Sequence, residues 1–134
     1  MEPTVLSFSP ELTAGAVMSS HVVTVTMDDS LATIRRLFQE HQFHHLLVVE
    51  QGELVGIISD RDLLKAISPN IGTLSETDRD RATLNKRAHH IMTRNPVTVQ
   101  TTTPIEIAAA LMLEKQVSCL PITSGNRHLE GILT

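Results

Sequence analysis

The sequence predicts an α/β (α+β) fold made of two pseudo-symmetric β-α-β-β-α repeats, of which the second lacks its last helix. The composition is that of a globular domain, with 41% hydrophobic and 19% charged side chains in 134 residues. A nine-residue stretch recurs at a constant offset of 74, which relates Met18 to Met92. After one extra residue in the second copy the offset becomes 75, and Gly56 aligns with Gly131. A repeat that survives a small insertion is typical of a structural unit.

In the first copy, the spacing of apolar residues predicts five elements. Ser30 is placed to cap a helix whose apolar face carries Leu31, Ile34, Leu37 and Phe38. In chain order, the elements are an extended segment at 22–26, that helix, strands at 46–49 and 54–58 joined by a turn at 51–52, and a helix at 60–67.

The second copy predicts the same order of elements from residue 97 onward. Its helix begins with Thr103 as the expected cap, Pro104 at the first helical position and Glu106 completing a capping box. Strands are expected at 120–122 and 129–133, and the sequence stops at Thr134 without a counterpart of the helix at 60–67.

These patterns divide the chain into four parts: a lead-in segment at 1–15, the first repeat at 16–67, a polar linker at 68–89 that is partly helical from Ser75 onward, and the second repeat at 90–134. A half of this size cannot bury enough apolar surface alone. We therefore expect the two repeats to pack face to face around one core, with ligand clefts where they meet.

Charge and composition exclude several classes of protein. The net charge is −4, the basic residues are interleaved with acids, and the chain has three Phe and no Tyr or Trp, so we expect no binding to nucleic acid. A single cysteine, Cys119, cannot form an intrachain disulfide. No apolar run approaches a membrane span, and the first residues do not resemble a signal peptide. We expect a cytoplasmic protein without a membrane segment.

The sequence contains no recognisable catalytic motif, and we expect no enzymatic activity. It has no nucleophile elbow, P-loop or Gly-x-Gly-x-x-Gly stretch. Seven histidines, among them His41, His44, His45 and the pair at 89–90, match no strong metal spacing. We therefore expect no metal site, and interpret these histidines as surface or cleft residues.

The motifs together resemble one family. They are the Val17-Met18-Ser19 and Ile91-Met92-Thr93 openings, the Val-Thr-Val pieces at 23–25 and 97–99, the stretch Gly56-Ile57-Ile58-Ser59-Asp60-Arg61-Asp62 and its half-copy at 131–134. This pattern resembles the tandem cystathionine-β-synthase (CBS) domain pair, or Bateman module. The resemblance covers about residues 16–134. It implies two repeats with their sheets at the centre, a regulatory rather than catalytic role, and an adenosine ligand, namely AMP, ADP, ATP or S-adenosylmethionine.

The resemblance implies a nucleotide site formed by Ser59, Asp62, His44, Thr93, Val97, Val117 and Ser118. Ser59 stands where a strand meets a helix, a place that suits phosphate, and Asp62 can accept hydrogen bonds from both ribose hydroxyls. His44 occupies the position from which many members reach phosphate with a stronger cation. Ser59 and Asp62 can instead form only a helix-capping pair, and Val97 and Val117 can be core residues.

A second, incomplete site is implied at Ser19, Val23, Phe43 and Thr134. It lacks the aspartate, because no residue follows Thr134, so we expect one competent site per chain. The linker cations Arg79 and Arg81 either pair with neighbouring acids or reach the phosphate.

Two functions remain open at this stage. The first is a non-catalytic regulatory module that binds the adenosine ligand in the cleft between the repeats and changes conformation. The alternative is a dimerisation or interaction scaffold that binds no nucleotide. In both cases we expect a homodimer and, for the regulatory module, a separate target protein.

Overall fold

The computed structural model describes residues 12–134, which form two compact units. The first unit is Val23–Pro96, and the second unit joins residues 12–22 to Val97–Thr134. Both units combine helices with a small sheet, which confirms the predicted α+β class. The predicted lead-in segment at 1–15 lies mostly outside the described residues.

The first unit contains eight named helices and strands and a 3-10 turn. The first helix of the chain, α1 (Ala14–Val17), belongs to the second unit. The elements of the first unit are, in chain order, β1 (Thr24–Val25), α2 (Leu31–Glu40), β2 (His45–Glu50), β3 (Glu53–Ser59), α3 (Asp60–Ala66), α4 (Asp78–Ala82), the turn at Thr83–Asn85, α5 (Ala88–Ile91) and β4 (Thr93–Arg94). The Ser30 hydroxyl accepts from the Thr33 N–H at 3.2 Å, as predicted for the α2 cap. Leu31 and Ile34 on α2 are fully buried in the core.

The sheet of the first unit is mixed. β1 runs parallel to β2, and β2 and β3 form an antiparallel hairpin whose other edge carries the short strand β4. The hairpin turns at Gln51 and Gly52, with φ of 51° and 82°. Since φ above zero is readily adopted by glycine, Gly52 suits this two-residue turn. The hairpin register places His45 opposite Ser59.

The second unit repeats this arrangement on a smaller scale. Besides α1, its elements are β5 (Val99–Gln100), α6 (Ile105–Lys115), β6 (Leu120–Ser124) and β7 (His128–Leu133). β5 is parallel to β6, and β6 is antiparallel to β7. A register shift occurs between Ile122 and Thr123, at the same place in the hairpin as the shift between Val48 and Val49 in the first unit.

The predicted cap of α6 is wrong. Pro104, not Thr103, is the residue before the helix, and it makes no side-chain cap bond. The Thr103 hydroxyl instead accepts from the Gln100 N–H at 3.0 Å, so it closes the turn that leads into the helix. A threonine hydroxyl can satisfy a turn as well as a helix end, and here the turn takes it.

Each copy's opening segment packs in the unit built mainly from the other copy. In the first unit, the Ala88 N–H donates to the Asp29 carbonyl at 2.8 Å, and Thr93 pairs with Ile57 of β3. In the second unit, Ser19 and Ile132 exchange two backbone hydrogen bonds of 2.9 Å. The repeat in the sequence is therefore matched in the structure, because in both units the opening segment of one copy pairs with a strand of the other copy.

Within residues 12–134, no helix has the length and apolar character needed to cross a membrane.

Candidate functional site

The candidate site lies in the first unit where β3 ends and α3 begins. The Ser59 hydroxyl accepts from the Asp62 N–H at 3.1 Å, and Asp62 Oδ2 accepts from the Ser59 N–H at 2.9 Å. This reciprocal capping box orients both side chains. The capping pair considered from the sequence is therefore present, and it uses one oxygen of the Asp62 carboxylate. Among the described residues, Asp62 Oδ1 has no hydrogen-bond partner.

His44 is joined to the first residue of α3. His44 Nδ1 lies 2.9 Å from Asp60 Oδ2, and the Asp60 N–H donates to the His44 carbonyl at 3.0 Å. The hydrogen bond with His44 is the main reason why the pKa of Asp60 is lowered from 3.8. Both side chains are accessible, with 80% of the His44 side chain and 42% of the Asp60 side chain exposed.

His45 is the second imidazole of this cluster. Its pKa is lowered from 6.5, chiefly because partial burial disfavours the charged ring. Asp60 and Asp62 raise this pKa and His44 lowers it further, so all three side chains lie near the His45 ring. We call His44, His45, Ser59, Asp60 and Asp62 the junction cluster.

Sequence reasoning missed Asp60 as a member of the cluster. The signal was present, because Asp60 follows Ser59 directly and a strand hairpin brings the residues before β2 beside those after β3. The hairpin register needed to be known before His44 could be placed against Asp60.

The other predicted contacts of this site divide between the two units. Thr93 is exposed on β4, beside Ile57 of β3, and so belongs to the first unit. Val97 and Val117 pack against the core of the second unit, as their alternative interpretation predicted. Ser118 is exposed just before the buried Cys119 of that unit. Whether all seven residues form one site stays a prediction.

The residues of the predicted second site also belong to different units. Ser19 bridges to Ile132 in the second unit, and Thr134 follows β7 there. In the first unit, Val23 and Phe43 pack against the core, and the Phe43 ring lies 5.5 Å from that of Phe38. Their role in binding stays a prediction.

The linker cation Arg81 pairs locally. Its guanidinium donates to Glu76 Oε2 at 2.9 Å and also contacts Asp78. This is the arrangement of a solvated helix face with ion pairs, one of the two interpretations considered from the sequence.

No group of three histidine, cysteine or acidic side chains within residues 12–134 is arranged to hold a metal ion. The His41 ring lies 5.4 Å from the Phe43 ring.

An open groove of about 440 Å³ lies between α2 and α3, lined mostly by apolar side chains such as Phe38, Leu64 and Ile67. None of the predicted site residues lines this groove, whereas Asp60 of the junction cluster does.

Comparison with known proteins decides the family. The model of the CBS domain matches residues 14–69 and 88–134. The chain belongs to the CBS domain family. It contains two CBS segments, so the resemblance identified from the sequence motifs is confirmed.

Similar proteins include free-standing CBS proteins and CBS pairs with bound ligands. A CBS domain-containing protein of Dictyostelium discoideum is 34% identical over 120 residues, which are 88% of this chain and 82% of that protein. The structure of CBSX2 of Arabidopsis thaliana in complex with AMP has a TM-score of 0.75 and 30% identity, covering 91% of this chain and 89% of that one. The CBS domain pair of the protein MJ0100, in complex with 5′-methylthioadenosine and S-adenosyl-L-methionine, has a TM-score of 0.73 and 27% identity, with coverages of 91% and 88%.

Several other CBS relatives are much longer than this chain. The chain spans 21% to 41% of the length of the next four curated relatives, three of which are named as enzymes. Those names therefore describe proteins of which the CBS pair is a minor part.

Proposed function

We propose that this CBS pair is a non-catalytic regulatory module that binds an adenosine ligand at the junction cluster. The observation that carries the proposal is its similarity, over about nine-tenths of both chains, to CBS pairs whose structures hold AMP or S-adenosyl-L-methionine. The ligand would shift the module between two conformations. It can do so only by binding one of them more tightly than the other.

The chemistry of the junction cluster supports an adenosine ligand. The Asp62 carboxylate is held by the Ser59 N–H through one oxygen, and a vicinal diol such as that of ribose offers two donors to a carboxylate. Because the capping box fixes the rotamer of Asp62, little side-chain entropy is lost on binding. Thr93, Val97, Val117 and Ser118 are the proposed contacts of the base and His44 of the 5′ substituent.

A homodimer and a separate target protein are part of the proposal. Leu64 on α3 of the first unit is 70% exposed, and Leu113 on α6 of the second unit is 82% exposed. Exposed apolar side chains on helices favour burial against another protein surface. Sedimentation at two concentrations tests the dimer: a single monomer boundary at both would contradict it.

Thermal unfolding with and without ligand tests the central proposal. AMP, ADP, ATP and S-adenosylmethionine are added separately to the wild-type chain and to Asp62→Ala. A ligand present at 100 times its Kd adds about 2.7 kcal/mol to the free energy of unfolding, which raises Tm by several degrees. Because the chain has no Trp or Tyr, calorimetry or an external dye reports the transition.

The chain offers a matched control for Asp62→Ala. Asp80 forms the same kind of capping box with Thr77 in α4 and also accepts from the Ser68 hydroxyl at 2.7 Å, so Asp80→Ala removes at least as much local bonding at another place in the first unit. Both variants should lower the free energy of unfolding, because each removes the carboxylate of a capping box. Only Asp62→Ala should lose the ligand-induced rise in Tm.

The same experiment decides the alternative, a scaffold that binds no nucleotide. The observation favouring the scaffold is that the Ser59–Asp62 pair already has a structural role as a helix cap. Unchanged Tm with all four ligands would support the scaffold and overturn the regulatory proposal.

A further inference from the structure

The second unit is completed by a segment that precedes the first unit in the chain, residues 12–22, which we call the arm. We infer that two molecules of this chain swap their arms, so that the arm of one molecule packs in the second unit of the other. This inference rests on the homodimer of the proposed function and names the surface through which that dimer forms.

The arm packs into the core of the second unit. Ala14 is fully buried there beside Val99 and Leu120, and the Met18 sulfur packs on Gly131. Backbone hydrogen bonds fasten the arm as well: Ala14 N–H to the Thr103 carbonyl at 2.7 Å, Gly15 N–H to the Thr101 carbonyl at 2.9 Å, Ile105 N–H to the Leu12 carbonyl at 3.0 Å, and two bonds of 2.9 Å between Ser19 and Ile132. These partners all lie within residues 97–134, so they can bind an arm from either molecule.

The first unit holds residues 86–94 by an equivalent set of bonds. At the repeat offset of 74, Ala88 takes the place of Ala14, and its N–H donates to the Asp29 carbonyl at 2.8 Å. The other two bonds recur between His89 N–H and the Met27 carbonyl at 3.1 Å and between Leu31 N–H and the Lys86 carbonyl at 2.8 Å. Each unit therefore binds an opening segment as a separate piece of chain, through a surface that the rest of the unit provides.

The two segments differ in how the chain continues from them. Residues 86–94 continue at both ends, so they cannot move to another molecule unless the second unit follows them. The arm is joined to the rest of the described chain at one end, through Ser20–Val22, which we call the hinge. Ser20 and His21 are exposed, and within residues 12–134 no backbone hydrogen bond involves the hinge. Rotation in the hinge therefore redirects the arm without breaking other backbone bonds.

A swap preserves the interactions of the arm. The same hydrogen bonds and the same contact of Met18 with Gly131 form in either molecule, so the two forms differ in the hinge and in the entropy lost on association. A short hinge favours the swap, because few residues are available to fold the arm back onto its own chain. Val22 is β-branched and favours extended backbone, which directs the arm away. The swapped fraction should rise with protein concentration.

Disulfide trapping between two different variants tests the swap. Ser19 and Ile132 share two backbone hydrogen bonds, so their Cα atoms lie about 5.5 Å apart, a spacing that a disulfide spans. The variants Ser19→Cys and Ile132→Cys are incubated together at high concentration under mild oxidation. The expected result is a disulfide between the two different chains, identified by the mass of the linked peptides. The native Cys119 is buried and contributes little background.

The first unit supplies a matched control. Thr93 pairs with Ile57 at the positions equivalent to Ser19 and Ile132, but Thr93 lies in the segment that continues at both ends. A mixture of Thr93→Cys and Ile57→Cys should therefore give several-fold less disulfide between chains than the first mixture.

A change in hinge length gives an independent measurement that needs no added cysteine. A short glycine–serine insertion between Ser20 and His21 should lower the dimer fraction in sedimentation, because a longer hinge lets the arm fold back onto its own second unit. The same insertion in the exposed turn at Gly125–Asn126 is the control and should leave the dimer fraction unchanged. An unchanged dimer fraction after the hinge insertion would contradict the swap.

The outcomes separate this inference from the proposed function. A wild-type dimer in sedimentation without a disulfide between residues 19 and 132 of different chains leaves the homodimer in place and overturns the swap. Equal amounts of disulfide between chains in the two mixtures also overturn it, because random collision would then account for both. A chain that stays monomeric at every concentration contradicts the homodimer and the swap together, whereas adenosine binding is decided separately by the ligand-induced rise in Tm.

Discussion

The sulfur of Met92 occupies the space that a side chain at residue 56 would need. A Cβ atom built on Gly56 would lie 2.6 Å from Met92 Sδ, and a Cβ atom on Gly131 would lie 2.6 Å from Met18 Sδ. Each methionine comes from the opening segment of one copy and packs on the glycine of the other copy. The two contacts therefore hold the exchanged segments in their units.

We expect Gly56→Ala to lower the free energy of unfolding by about 1–3 kcal/mol, because the added methyl group overpacks a buried contact. Urea unfolding followed by circular dichroism measures the loss. The double variant Gly56→Ala/Met92→Ala should lose less than the sum of the two single variants, because the smaller side chain frees the space. Additive losses would contradict the proposed contact.

Gly131→Ala should be at least as costly as Gly56→Ala. Its added methyl group would meet the Ser19 carbonyl oxygen at 2.7 Å as well as the Met18 sulfur. The Ser19 backbone is joined to Ile132 by two hydrogen bonds, so it moves less readily than the end of a methionine side chain. The same unfolding measurement compares the two variants, and a neutral Gly131→Ala would contradict the packing described for the second unit.

Partial burial of His45 gives stability a defined dependence on pH. The pKa of His45 is lower in the folded chain than its ordinary value of 6.5, so the unfolded chain binds a proton first as the pH falls. The free energy of unfolding should therefore decrease below pH 6.5 and stop decreasing, for this group, once the pH passes the folded-state pKa.

The variant His45→Asn should remove this contribution, because asparagine does not titrate. Urea unfolding of both proteins between about pH 7.5 and pH 5 gives the two slopes. An identical slope in the variant would show that other groups cause the dependence.

The single thiol should be unreactive in the folded chain. Burial raises the pKa of Cys119 to about 12, so at about pH 8 only about one thiol in ten thousand is ionised. A disulfide reagent should label Cys119 slowly under native conditions and rapidly in denaturant. Rapid labelling under native conditions would mean that the chain around Cys119, just before β6, often opens to solvent.

Local patterns in the sequence predicted the first unit well. The cap at Ser30, the turn at Gln51 and the helix after Ser59 each depend on neighbouring residues, and all three occur as predicted. The cap at Thr103 was wrong because two local partners compete for one hydroxyl, and sequence spacing does not rank them.

Long-range packing could not be predicted in the same way. The repeat aligned Met18 with Met92 and Gly56 with Gly131, but either methionine fits either glycine by residue type. The choice depends on how the chain passes between the copies, which the pattern of apolar residues does not contain. In the site, Ser59 and Asp62 followed from a local motif, whereas the contact of His44 with Asp60 required the hairpin register.

Binding of an adenosine ligand at the junction cluster is tested most directly by nuclear magnetic resonance. The measurement is the change in backbone amide chemical shifts when 5′-methylthioadenosine is added to the isotope-labelled chain. The Ser59 and Asp62 amides donate to each other's side chains, so a ligand on Asp62 alters both hydrogen bonds. We expect saturable shifts at Ser59, Asp60 and Asp62, and none in the Thr77–Asp80 capping box of α4. Saturable shifts confined to residues away from the junction cluster, or no shifts with any adenosine ligand, would contradict it.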